Sequence, residues 1–237
     1  MDGKINVISL GGSLIAPKEL PEGEILDLDY ANSFKSWALL RYLQYKEQSV
    51  VIVGGGDLAR RYQQALASIA PVTTHQKDLI GISATHMNAR FVQGVFNDDA
   101  EKDIITDPTN APKSFYKPIL VAGGWKPGSS TDYVAVLLAK KYGVKVLLNL
   151  SNISHVFSVD PKVDEDATRF DNLSWDEYIE MIPPEWSPGA HFPFDPVASR
   201  EAKKSNLEVV VCDGKKFDNL SKYLNDERGF EGTIIKD

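Results

Sequence analysis

The chain has one cysteine, Cys212, so it carries no disulfide framework and no thiolate metal cluster. Its four histidines, His75, His86, His155 and His191, are scattered, with no pair at metal-ligand spacing. Positive charge is scarce: 26 Lys and Arg against 33 Asp and Glu leave a net charge of -7. That balance excludes a nucleic-acid partner held through a basic face. No apolar run approaches membrane-spanning length, and no basic segment leads into an apolar stretch at the start. The expectation is a soluble protein of a reducing, cytoplasmic compartment, with Cys212 a buried structural thiol in "LEVVVCDG".

What is present is a globular composition. At 237 residues and 43% hydrophobic content, the chain can bury a core without help from metal or disulfide. Short runs rich in Val, Ile and Leu recur: "INVISL", "SVVIVG", "PILVAG", "VKVLLNL" and "LEVVVCD". Near-continuous apolar runs suit strands covered on both faces. Helical patterns lie between them. "DLARRYQQALASIA" gathers Leu58, Tyr62, Ala65, Leu66 and Ile69 on one face, and "DYVAVLLAKKYG" stops at Gly143. The alternation predicts an α/β fold with a mostly parallel sheet. The Pro-rich stretch from Met181 to Pro196 reads as a loop.

Three of the predicted strands end in glycines: Gly11-Gly12, Gly54-Gly55-Gly56 and Gly123-Gly124. In a parallel sheet these ends share one edge, where ligands bind. Glycine lets backbone N–H groups approach an anion, and a following helix adds its positive end. "GGGDLA" satisfies the dinucleotide fingerprint formally, but Asp78, at roughly the distance of the ribose carboxylate, follows the polar "TTHQK" and precedes a helical pattern, so no second strand delivers it. Neither Gly-Lys pair is followed by Ser or Thr, so there is no Walker loop, and no G-x-S-x-G elbow occurs. Several glycine turns acting together suit two phosphorylated ligands facing each other. Asp132, just after "GSST", has two readings: a carboxylate favouring a helix start, or one that orients a phosphate-bound Mg²⁺ or a nearby cation.

Seven ordered stretches resemble the UMP kinases of the amino acid kinase superfamily, most closely their archaeal-type branch. They are "ISLGGSLI", "VVIVGGGDLARRY", "DLIGISATHMNA", "GGWKPGSSTDYVAVLLA", "SNISHVFSVDPK", "FPFDPVASREAKKSN" and "FEGTII". The resemblance implies a three-layer α/β/α sandwich of the carbamate-kinase type. It implies one domain over residues 1–237, with an acceptor lobe to about 140 and an ATP lobe from about 141. It also implies ATP-dependent phosphorylation of UMP to UDP, Mg²⁺ bound with ATP, and assembly as a homohexamer, a trimer of dimers. Carried over by motif, Gly12, Ser13, Gly56 and Arg60 face the ATP phosphates, while Ser151, Asn152, Phe157 and Asp160 contact the adenosine. Gly55, Asp78 and the turn Trp125, Lys126, Pro127, Gly128, Ser129, Ser130 and Thr131 hold UMP, with Asp78 on the ribose. Asp132 and Arg60 are the catalytic pair of this reading, and no protein metal ligand is assigned.

The chain departs from the family pattern in places. Ser9 stands where many members have a lysine, which leaves Lys126 and Lys162 as candidate cations. The usual "TNVDGVY" reads "SNISHVF", so Ser154-His155 replaces an Asp-Gly turn and Phe157 loses a phenol. His155 is expected to be an exposed loop residue in a strained or reshaped turn, so that Ser154→Asp with His155→Gly should lower KM for ATP. Trp125 replaces a small hydroxyl residue near the expected uracil. Two other readings follow from these departures: a kinase of another small phosphate acceptor such as isopentenyl phosphate, and a nucleotide-binding protein without turnover, resembling molybdenum/tungsten storage proteins.

Overall fold

The computed structural model describes residues 4–161, 163–184 and 192–237. The chain opens with β1 (Ile5–Leu10), α1 (Gly12–Ile15), α2 (Leu28–Tyr45), β2 (Gln48–Val53), α3 (Gly56–Ile69) and α4 (Thr74–Phe96). It continues through β3 (Ile119–Ala122), α5 (Thr131–Lys141), β4 (Val146–Ser151) and the short strands β5 (Val156–Phe157), β6 (Arg169–Phe170) and β7 (Asn172–Leu173). It closes with α6 (Trp175–Met181), α7 (Pro196–Lys204), β8 (Glu208–Asp213), α8 (Phe217–Leu224) and β9 (Thr233–Ile235).

All five apolar runs of the sequence form strands, and they neighbour one another in a sheet of order β3-β2-β1-β4-β8-β9-β7. The first five are parallel, and β9 runs antiparallel to β8. Alternate residues point to opposite faces, and both faces are dry. Val7, Val50 and Ile52 join Leu138, Trp175 and Ala198 from α5, α6 and α7. Ile8, Val51 and Val53 join Leu14, Phe34, Val92 and Leu220 from α1, α2, α4 and α8. Continuous apolar runs are what a sheet covered on both sides requires.

Five helices, α2 and α4 to α7, begin where a side chain satisfies a free N–H group. Thr73 and Gln76 form a capping box for α4, as do Ser174 and Glu177 for α6. Ser130 caps α5, which stops before Gly143 in the left-handed region at φ +66°. Asp195 caps α7 with Pro196 as its first residue. The stretch from Met181 to Pro196 joins α6 to α7, and residues 185–191 of it lie outside the described residues.

The apolar stripe of α3 does not face the core: Tyr62 is 62% exposed and Ile69 82%, and the buried residues of α3 are Asp57 and Ala59. No helix among the described residues is long and apolar enough to cross a membrane. Cys212 is fully buried, and burial pushes its thiol up to about 12, as suits a structural residue.

Candidate functional site

Strand order reverses beside β1: the chain winds from β1 to β2 and β3 on one side, then to β4 and β8 on the other. The carboxyl ends of β1 and β4 therefore flank a crevice of the kind in which α/β sheets hold ligands. The glycine turns after β1, β2 and β3, together with Ser151 at the end of β4 and Asn152 after it, all lie along this edge.

The first two turns interlock through bare backbone. A Cβ on Gly12 would sit 2.1 Å from Gly56 N, and one on Gly56 would sit 2.3 Å from Gly12 O. Gly56 also has φ +60°, which a side chain disfavours. Gly12 and Ser13 open α1 and Gly56 opens α3, so by position their N–H groups have no acceptor inside the helix. That arrangement suits anionic oxygens. The third turn differs. Gly123 N–H donates to Ile105 O and Gly124 N–H to Thr85 Oγ1, so its donors are already occupied by protein.

Helix α4 ties the turns together. Asn88 donates to Gly54 O (2.8 Å) and Gly55 O (3.1 Å). His86 Nε2 lies 2.7 Å from Gly124 O. At the other end of α4, buried Asp78 accepts the N–H of Gly128 at 2.7 Å. Residues Lys126 to Ser129 make a tight turn closed by Ser129 N–H to Lys126 O, with Pro127 second and Gly128 third at φ +80°, a type II pattern. Asp78 and the Trp125–Thr131 stretch, read separately from sequence, are thus one unit. Trp125 packs against the core, and Lys126 Nζ sits 3.8 Å over its ring, so this lysine is engaged with an aromatic face. Ser130 accepts the N–H of Tyr133 as cap of α5, which Thr131 begins.

Arg60 lies in the first turns of α3, its Nε 3.5 Å from Asp57 Oδ1. Asp57 also holds Arg61 at 2.5 Å, and its own N–H donates to Ala16 O. Asp57 therefore orients two guanidinium groups, a role readable only from the i,i+3 and i,i+4 spacing.

Asp132 of α5 is held by two other elements. Ser9 of β1 donates its hydroxyl to Oδ1 at 2.8 Å, and Asp195 N–H at the start of α7 donates to Oδ2 at 3.2 Å. The segment before Asp195 is fixed by Asn149 to Pro193 O and by Tyr178, whose hydroxyl bonds both Phe194 O and Phe194 N. Burial pushes Asp132 up to about 6, Ser9 opposes this, and the Asp195 carboxylate adds to it. Asp195 is itself 4% exposed and raised by burial. Its Oδ1 caps Ala198, and its buried Oδ2 has no hydrogen-bond partner among the described residues. The Asp-Pro pair opening "DPVAS" was the signal for this second carboxylate. Among the described residues, no group of three or more His, Cys, Asp or Glu is gathered for a metal.

On the other side of the crevice, Ser151 Oγ faces Ile153 N at 3.4 Å, Asn152 and Asp160 are exposed, and Phe157 is half-buried. Lys162 lies outside the described residues. His155 is not the exposed residue expected, at 5% exposure; it does not have positive φ, so of the strained and reshaped turns the chain takes the reshaped one. Deleting that ring would empty a packed site, which reverses the expected benefit of His155→Gly.

The amino acid kinase family model matches residues 4–213. The chain belongs to the amino acid kinase family. Among relatives of this amino acid kinase, a uridylate kinase of Methanosarcina acetivorans is 33% identical over 225 residues, covering 93% of this chain and 91% of that protein. One from Pyrobaculum neutrophilum is 32% identical, covering 97% and 98%. The crystal structure of uridylate kinase from Archaeoglobus fulgidus superposes with a TM-score of 0.78 at 30% identity, over 98% of this chain and 99% of that one. A UMP kinase structure from Bacillus anthracis, 21% identical with a TM-score of 0.75, shares the fold. The three-layer, mostly parallel architecture of this amino acid kinase matches these neighbours.

Proposed function

We propose that this chain transfers the γ-phosphoryl group of ATP to UMP, giving UDP and ADP. The observation that carries the reading is the Asp78–Gly128 bond, which joins the two elements the motifs assign to UMP beside the glycine edge. The relatives of nearly equal length support it. In this reading a UMP phosphate oxygen attacks the γ-phosphorus, the bond to the β,γ-bridging oxygen breaks, and ADP leaves. The acceptor oxygen is already anionic, so no general base is required. The protein's work is alignment and charge stabilisation.

The N–H groups of Gly12, Ser13 and Gly56, with Arg60, face the donor phosphates. Gly55, Asp78 and the Trp125–Thr131 turn hold UMP, and Ser151, Asn152, Phe157 and Asp160 hold the adenosine. We assign the acceptor side to residues up to about 140 and the donor side to the remainder. Asp132 and Asp195 fit a divalent cation: they are carboxylates at the starts of two helices, and one buried oxygen lacks a partner among the described residues. Mg²⁺ typically takes one or two carboxylates together with substrate phosphates. When bound, it would neutralise charge on the transferring group.

Incubation of the protein with MgATP and UMP should yield UDP. Asp78→Ala should raise KM for UMP roughly tenfold, about 1.4 kcal/mol, with KM for ATP nearly unchanged. Equal effects on both would remove Asp78 from the acceptor site.

We also propose self-association through α3, since Tyr62 and Ile69 leave an apolar stripe in water, and a homohexamer is the assembly we assign. Ile69→Glu should lower the mass seen by light scattering. An unchanged mass would place the contact elsewhere.

A further inference from the structure

The β5–β6 hairpin has only two residue pairs, Val156 with Phe170 and Phe157 with Arg169. A ladder that short is not stable by itself and depends on what it packs against. Val156 N–H donates to Thr233 Oγ1 at 2.8 Å, which ties the hairpin to β9. The other support is His155. Its ring lies edge-on to Phe157, with centroids 6.4 Å apart at 77°. Its Nε2 is 3.6 Å from Asp171 Oδ1, the same oxygen that Arg169 Nε approaches at 3.2 Å. Its Nδ1 is buried without a hydrogen-bond partner among the described residues. A polar ring held this way contributes by filling space, because one of its nitrogens gains nothing from burial.

We propose that His155 is a positioning residue for the donor nucleotide: its buried, uncharged ring holds the edge of Phe157 and seats the hairpin against β9. The inference rests on the assignment of Phe157 to the adenosine. Charge on the ring would undo the seating. Burial and then Arg169 hold the imidazole below its ordinary range, while Asp171 and Glu231 pull it back up and Lys216 adds to the lowering. Glu231 and Lys216 are themselves paired at 3.0 Å. A group lowered in the folded state resists protonation there. The stability it supports is present above about pH 6.5, the ordinary histidine value, and is lost as pH falls below that. The hairpin should therefore loosen in mild acid.

The test is equilibrium binding of MgATP by calorimetry, from pH 7.5 to 5.5, for the wild type, His155→Gly and His155→Leu. At pH 7.5, His155→Gly should weaken MgATP binding by about fivefold to tenfold and leave UMP binding unchanged. His155→Leu keeps the packing and removes the charge. It should bind within about twofold of wild type at pH 7.5 and lose less affinity than wild type on acidification. Protonation of ATP itself is common to all three proteins and cancels in the comparison. Phe157→Ala should weaken binding similarly, and adding His155→Gly to it should cost little more, as for residues acting through one another. Wild-type affinity in His155→Gly, or a wild-type acid loss in His155→Leu, overturns the proposal. If His155→Gly fails to fold, the His155→Leu profile decides alone. A wild-type protein that binds no MgATP at any pH overturns the donor-site assignment, and this proposal with it.

Discussion

Asp132→Asn should lower kcat by roughly tenfold to a thousandfold, the scale for removing one preorganised electrostatic contact, with small changes in KM for ATP and UMP. A group that acts mainly on the transferring phosphoryl is felt in the transition state more than in either ground state. The fold spends several interactions on this carboxylate: Ser9 from β1, Asp195 N–H from α7, and the clamp of Asn149 and Tyr178 that fixes the segment before Asp195. Asparagine preserves the shape and can still accept from Asp195 N–H. The loss would therefore report charge. The stability consequence has the opposite sign. Asp132 titrates at about 6 in the folded chain, above the ordinary carboxylate range, so the folded state holds a proton that the unfolded state has released between about pH 4 and 6. Its ionisation works against folding as pH rises through that window. Asp132→Asn should accordingly be at least as stable as wild type at pH 7, by thermal unfolding, while being far less active. A stable variant with normal kcat would reduce Asp132 to a charge at the start of α5.

Arg41→Ala should destabilise the protein by about 3–5 kcal/mol, the range for leaving one member of a buried ion pair unpaired. Arg41 and Glu47 are both buried, joined at 2.8 and 2.9 Å, and they link the end of α2 to the strand that follows. Asn6 of β1 donates to the same carboxylate, and Arg41 reaches Asn225 beyond α8 at 2.6 Å. Burial alone would raise Glu47, but Arg41 and then Asn6 hold it below the usual range, so this support is lost as pH falls through the lowered value. Denaturant unfolding of the variant should show a lower midpoint with an unchanged slope. Kinetics of the folded fraction should match wild type, since none of these residues lies on the glycine edge. Replacing both partners by Met and Leu should recover most of the loss, because no charge is then stranded. A single variant as stable as wild type would show the pair to be dispensable.

Much of the fold was legible because a two-sided sheet writes itself as apolar runs. Each of the five longest strands was present as one such run, bounded by Gly, Pro or polar residues. The pattern from Leu79 onward reads as helix, but α4 starts earlier, at Thr74, and takes in the polar "THQK" and Asp78 as its first turns. Less of the site could be read. Periodicity shows that Tyr62 and Ile69 share a face but not what covers it, and none of the described residues of this chain does. The contact of Gly12 with Gly56 joins residues 44 positions apart through backbone, which composition cannot signal. The reshaped turn at His155 was one of the two outcomes its sequence allowed, but the burial of the ring was not legible, because a loop position does not show what packs over it. Asp195 carried a helix-start signature, but only the fold brings it to Asp132.

The most direct measurement is a coupled steady-state assay with saturating MgATP and, in parallel, UMP, CMP, dUMP or AMP as acceptor. The account expects UDP formation, with kcat/KM for UMP well above that for AMP. Turnover of no acceptor, or equal turnover of all four, would contradict it.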